Sequence, residues 1–109
     1  MKGANSKVLR NVMLEEAFYF FTSIGNYTGQ SAASLEEFLQ KIKEIDMHAS
    51  LEFHLLREDF EKWGASTLGD ARLAENIKIL KMQKVAGNAL RERLYFVVSR
   101  RLKQLKRHQ

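Results

Sequence analysis

Not one proline occurs in the 109 residues of this chain. Proline breaks helix interiors and favours turns, so its absence leaves the chain open to long helices. The remaining turn signals gather in one place, Gly25-Asn26-Tyr27-Thr28-Gly29-Gln30-Ser31. Hydrophobic residues make up 45% of the chain, enough for one core at this length. The expected fold is all-α: a compact single domain over residues 1–109, built from four to five helices.

Residues 1–7 are small and polar and are expected to fray. From Val8 to about Ser23, Met13, Ala17, Phe20, Phe21 and Ile24 recur at helical spacing, with Phe18 widening the stripe. The run from Ala17 to Thr22 also suits a strand by propensity. Helix is the expectation, because a lone short strand would lack a partner. Ser34-Leu35-Glu36-Glu37 reads as a capping box, with Ser34 bonded three residues on and Glu37 reaching back to the Ser34 N–H. Behind it Leu35, Phe38, Leu39, Ile42 and Ile45 form an apolar stripe. A break is expected near Asp46 to Ser50. Phe53, Leu56, Phe60 and Trp63 then share one face, expected to be buried, with Leu55 and Asp59 on its flank. Gly64 weakens the end of that helix by about 1 kcal/mol relative to alanine. Gly69 is the expected stop, and Asp70 the cap of a helix that turns Leu73, Ile77 and Leu80 inward. After a break at Gly87 and Asn88, a basic helix is expected over residues 88–106.

Charge divides the chain unevenly. Residues 1–75 carry 8 Lys/Arg and 12 Asp/Glu, whereas residues 76–109 carry 10 Lys/Arg and the single acid Glu92. Such asymmetry suggests a surface for nucleic acid, for an acidic membrane surface, or for the acidic half of another copy. A solvated basic helix end explains it without function.

The last helix is where that charge becomes a pattern. At 100° per residue, Leu90, Leu94, Val97, Val98 and Leu105 form its buried stripe. Arg93, Arg100, Lys103 and Arg107 gather on the opposite side, with Phe96 among them. Charge for phosphates and a ring for stacking suit nucleic acid. The same pattern would serve a membrane surface or a seam between copies. Packing of Phe96 on another helix would remove the reason to single it out.

Other constellations are weaker. His54, Glu58 and Glu61 would share the outer face of the third helix, but no second histidine motif supports a metal there: His48 precedes the helix and His108 lies in the tail. A solvated face with a His54–Glu58 pair is expected, and no metal or cofactor. Gly25, Asn26 and Gly29 could cradle an anion ahead of the capped helix. They lack the Gly-Lys-Ser/Thr ending of a P-loop, and a structured turn between two helices is the plainer expectation. The adjacent acids Glu15/Glu16 and Glu36/Glu37 point about 100° apart on a helix and share no site. Ser23, Ser31 and Ser34 have no candidate base. Trp63 with Phe53 and Phe60 reads as core. With no cysteine in the sequence, thiolate catalysis and disulfides drop out. No apolar run approaches the roughly 18 residues of a membrane span, and Glu15 and Glu16 spoil a leader peptide.

Residues 17–80 resemble a small domain family of archaea and bacteria with no assigned activity. The resemblance rests on Phe18 to Gly29 (FYFFTSIGNYTG), Ser34 to Phe38 (SLEEF), Leu51 to His54 (LEFH), Asp59 to Trp63 (DFEKW) and Leu68-Gly69-Asp70, followed by Leu73-Ala74. Gly64 departs from it, where such sequences usually carry a bulky apolar residue. The resemblance implies one domain and no mechanism. The expected function is that of a non-enzymatic cytoplasmic interaction or regulatory module. Its partner would be another protein or a second copy of itself; the alternative is nucleic acid bound by the last helix.

Overall fold

The computed structural model describes residues 2–44 and 48–107. It opens with α1 (Lys2–Leu9), a 3₁₀ turn (Leu14–Glu16), β1 (Phe18–Ser23) and β2 (Asn26–Ala32). There follow α2 (Leu35–Glu44), α3 (His48–Leu56), α4 (Asp59–Lys62), a π-helical segment (Trp63–Leu68), α5 (Ala71–Met82) and α6 (Gly87–Arg107). The fold is mostly helical, but among the described residues six α-helices with a two-stranded antiparallel sheet make it α+β rather than all-α.

The helix expected over Val8 to Ser23 is thus replaced by three shorter elements. The partner of a strand at 17–22 is the polar Gly-rich segment itself. Ile24 and Gly25 make the hairpin turn, with Gly25 at φ +82°. Phe18 and Phe20 point into the core while Tyr19 and Phe21 lie on the other face, the two-residue alternation of a strand. Phe20 pairs with Gln30 but Phe21 with Tyr27, so Thr28 and Gly29 bulge out of β2. Gly29 holds φ +84° there, a conformation that favours glycine. Thr28 Oγ1 donates to the Phe20 carbonyl at 2.7 Å and secures the bulge.

Residues 2–9 form a helix instead of fraying. Val8 is buried, and Asn5 Nδ2 donates to the Leu105 carbonyl at 3.2 Å, docking α1 on the end of α6. Ser34 caps α2 by accepting from Glu37 N, but Glu37 reaches the Ala33 N–H rather than that of Ser34. Ile45, Asp46 and the start of the expected break lie outside the described residues; Ser50 is already within α3.

α3 and α4 are not one helix. Glu58 sits at φ +63°, in the left-handed region, and interrupts the rotation between them. An apolar stripe extended through the break therefore misplaces its first half. Phe60 and Trp63 are buried as expected, while Leu56 is 70% exposed and Phe53 only partly covered. Leu51, His54 and Leu55 take the inward face. Gly64 packs within the π segment, where an added Cβ would lie 3.6 Å from Leu73 Cδ2. Gly69 ends that segment at φ +81° and Asp70 caps α5, as its sequence predicts. The core joins both halves of the chain. Phe18, Phe20, Phe38 and Phe60 pack ring against ring, and Leu90, Leu94, Val98, Leu102 and Leu105 of α6 close over the helices.

Candidate functional site

The long helix α6 turns a basic face with an aromatic ring to solvent. Its apolar residues recur every three or four positions and fix one face against α2, α3 and α5. That anchoring forces Arg93, Phe96, Arg100, Lys103 and Arg107 outward, and all five are exposed. The Phe96 ring is 61% exposed, so it belongs to the surface and not to a helix contact.

Phe96 stands between two grooves. The groove between α5 and α6, of about 470 Å³, is lined by Arg72, Arg93, Arg100 and Arg101 over Ile79 and Val97, with no carboxylate. A groove of about 580 Å³ on the other side carries Lys43, Lys103, Tyr95 and Ser99, with Glu92 as its acid. Arg93 is steadied by Gln83 Oε1 at 2.8 Å. Among the described residues, Arg72, Arg100, Lys103 and Arg107 have no ion pair.

Three of the ten cations in residues 76–109 are paired within the molecule. Arg101 pairs with Asp70, Lys81 with Glu58, and Lys106 with Glu36. Each pair joins the basic segment 76–107 to the acidic part of the chain. Among the described residues, Arg100, Lys103 and Arg107 of α6 take no part in these pairs. Tyr95 and Ser99, which helical spacing alone does not single out, enter the surface beside the Phe96 ring.

The histidine expected on an outer face is instead 4% exposed, beneath the hairpin. His54 Nε2 accepts from the Phe21 N–H at 2.9 Å, and Nδ1 lies 2.8 Å from Asp59 Oδ2. Burial holds the imidazole below its ordinary pKa against the pull of Asp59. A neutral ring with a proton on Nδ1 satisfies both contacts. Neither nitrogen is open to a metal or a substrate, and the ring ties β1 to α3 and α4. The proposed His54–Glu58 pair does not form, because Glu58 turns to Lys81 Nζ at 2.7 Å. That cation lowers the Glu58 pKa. No cluster of three His, Cys, Asp or Glu suited to a metal occurs among the described residues.

Gly25, Asn26 and Gly29 also take a different place. They form the turn and bulge of the hairpin, joining two strands rather than two helices. Asn26 Nδ2 hydrogen-bonds Ser23 Oγ and closes the turn on itself. The site is thus separated from the α2 N-terminus by most of β2. No described helix is long and apolar enough to cross a membrane.

No family model, curated protein or solved structure matches the chain. Geometry alone carries the functional reading.

Proposed function

We propose that this protein is a non-enzymatic, cytoplasmic binding module that engages single-stranded nucleic acid through the exposed face of α6. The observation that carries this is Phe96, an exposed ring between two cationic grooves. Arg100, Lys103 and Arg107, which have no ion pair among the described residues, would neutralise phosphates, and the ring offers a base a stacking platform. Arg93 to Arg107 span about 21 Å at 1.5 Å per residue, long enough for several phosphates.

Self-association through acidic and basic halves fits this geometry less well. A two-fold seam centred on α6 would set its cations against themselves. A head-to-tail contact of basic on acidic face stays open-ended unless the rotation closes a ring. The internal pairs Arg101–Asp70, Lys81–Glu58 and Lys106–Glu36 already consume part of the complementarity such a contact would use.

The test is fluorescence anisotropy of a labelled single-stranded oligonucleotide across a salt series. Four engaged cations give a slope of log K against log salt near about −3, at roughly −0.7 per phosphate. Replacing Arg100 and Lys103 together by alanine removes about half of it. Affinity that is independent of salt, or unchanged in that double variant, rules the reading out. An acidic peptide competing as well as the oligonucleotide would assign the face to a protein partner.

A further inference from the structure

A third groove, of about 510 Å³, lies between β1 and the segment from Phe53 to Thr67. Its size is that of a small-molecule site. Phe21, Phe53 and Trp63 give it apolar walls, and Arg57, Asp59 and Lys62 its charge. None of these residues belongs to the α6 face.

Arg57 is held in an unusual way for a half-exposed side chain. Its guanidinium carbon lies 5.0 Å from the centre of the Phe53 ring, and its Nε 3.2 Å from Asp59 Oδ2. Asp59 is in turn fixed by buried His54, which is fixed by the Phe21 N–H. One face and one edge of the guanidinium are therefore used. Its two terminal nitrogens make no hydrogen bond among the described residues, and they form the planar fork that matches a carboxylate. Because the supporting groups are already ordered, closing that fork on a ligand loses little conformational freedom.

Local charge narrows the ligand further. Arg57 and Lys62 contribute two positive charges and Asp59 one negative, while the His54 ring is neutral. The surplus of one suits a monoanion better than a dianionic phosphate. The floor of the groove turns through the π segment Trp63–Leu68, and single π turns within helices recur at functional sites. We infer that this groove binds a small monocarboxylate with an aromatic or branched apolar body, its carboxylate on the Arg57 fork and its body against Phe21, Phe53 and Trp63.

Trp63 is the single tryptophan of the chain and reports directly on the groove. The experiment titrates the protein with phenylacetate, 3-phenylpropionate and 4-methylpentanoate, and with the neutral amide of each. Trp63 fluorescence and the ¹H–¹⁵N shifts of the Phe21 amide and Arg57 Nε–H are followed. At least one carboxylate should saturate both readouts below about 10 mM and bind at least about tenfold more tightly than its amide, a difference of roughly 1.4 kcal/mol. Arg57→Gln should abolish that preference. Arg57→Lys, which keeps the charge and loses the fork, should weaken binding about fivefold or more. Circular dichroism establishes that each variant is folded, and Arg100→Ala should bind as the parent does. Failure of every carboxylate to saturate, equal binding of acid and amide, or undiminished affinity in folded Arg57→Lys would overturn the inference. None of these outcomes bears on the α6 face.

Discussion

Asp70 and Arg101 are joined by two hydrogen bonds, Nε to Oδ2 at 2.7 Å and Nη2 to Oδ1 at 3.1 Å. The same Asp70 caps α5 by accepting from the Leu73 N–H at 3.2 Å. One carboxylate thus starts α5 and pins it to α6. Asp70 is almost wholly buried, so removing its partner leaves a charge without compensation. Arg101→Ala should lower the unfolding free energy by about 3–5 kcal/mol. Asp70→Asn, which keeps an oxygen for the cap and removes the charge, should cost less. Urea denaturation at constant m-value measures both. A loss under about 1 kcal/mol for Arg101→Ala would mean that water compensates Asp70.

His54 makes stability depend on pH in a defined direction. Burial lowers its native pKa below the ordinary 6.5. The unfolded chain therefore takes up this proton at higher pH than the folded one. The contribution is complete above about pH 6.5 and is lost as pH falls through the native pKa. Protonation would also set Nε2–H against the Phe21 N–H. The urea midpoint should fall between about pH 7 and pH 5, before most carboxylates titrate. His54→Gln should be less stable at pH 7 and show a flatter profile. Parallel profiles for parent and variant would rule this out.

Glu61 has the opposite sign. Both its carboxylate oxygens are buried without a hydrogen bond, and desolvation raises its pKa above the ordinary 4.5. The folded state holds this proton to higher pH than the unfolded one, so ionisation of Glu61 destabilises the fold above its native pKa. Part of the residue remains in contact with water, which moderates the effect. Glu61→Met should stabilise the protein at pH 7 by about 1 kcal/mol, and the gain should shrink toward pH 4. A less stable variant at pH 7 would mean that Glu61 has a partner in solution.

What could be read from the sequence divides along physical lines. Local signals held where the chain is regular: the Ser34 cap, the Gly69 stop, the Asp70 cap and the spacing of Leu90, Leu94 and Val98 each depend on neighbours within a turn or two. The exposed line from Arg93 to Arg107 followed from the same spacing. β1 was obscured because its pairing partner is polar and glycine-rich, a composition that resembles a loop until the pairing is known. The face of α3 is not legible in the sequence because a left-handed Glu58 leaves no mark in the apolar pattern. The buried contact of His54 with Asp59, and hence the Arg57 fork, depends on that hidden break and on a strand 33 residues away.

Phe96 and Phe60 offer a matched test of surface against core. Phe60 is buried among Phe18, Phe38 and His54, and Phe60→Ala should cost about 3–5 kcal/mol of stability. Phe96 projects between two grooves and supports little beneath it. Phe96→Ala should therefore change stability by no more than about 0.5 kcal/mol. On the proposed function, its effect is on binding. If its ring stacks on a base, the variant should lose about 1–3 kcal/mol of single-strand affinity, while its salt slope stays near that of the parent because no phosphate contact is removed. Duplex of the same sequence, whose bases are already stacked on one another, should be affected far less. Equal losses on single strand and duplex would reduce the face to electrostatics alone. A large loss of stability would show that Phe96 supports the fold, and stacking would then have to be tested with Phe96→Tyr or Phe96→Leu.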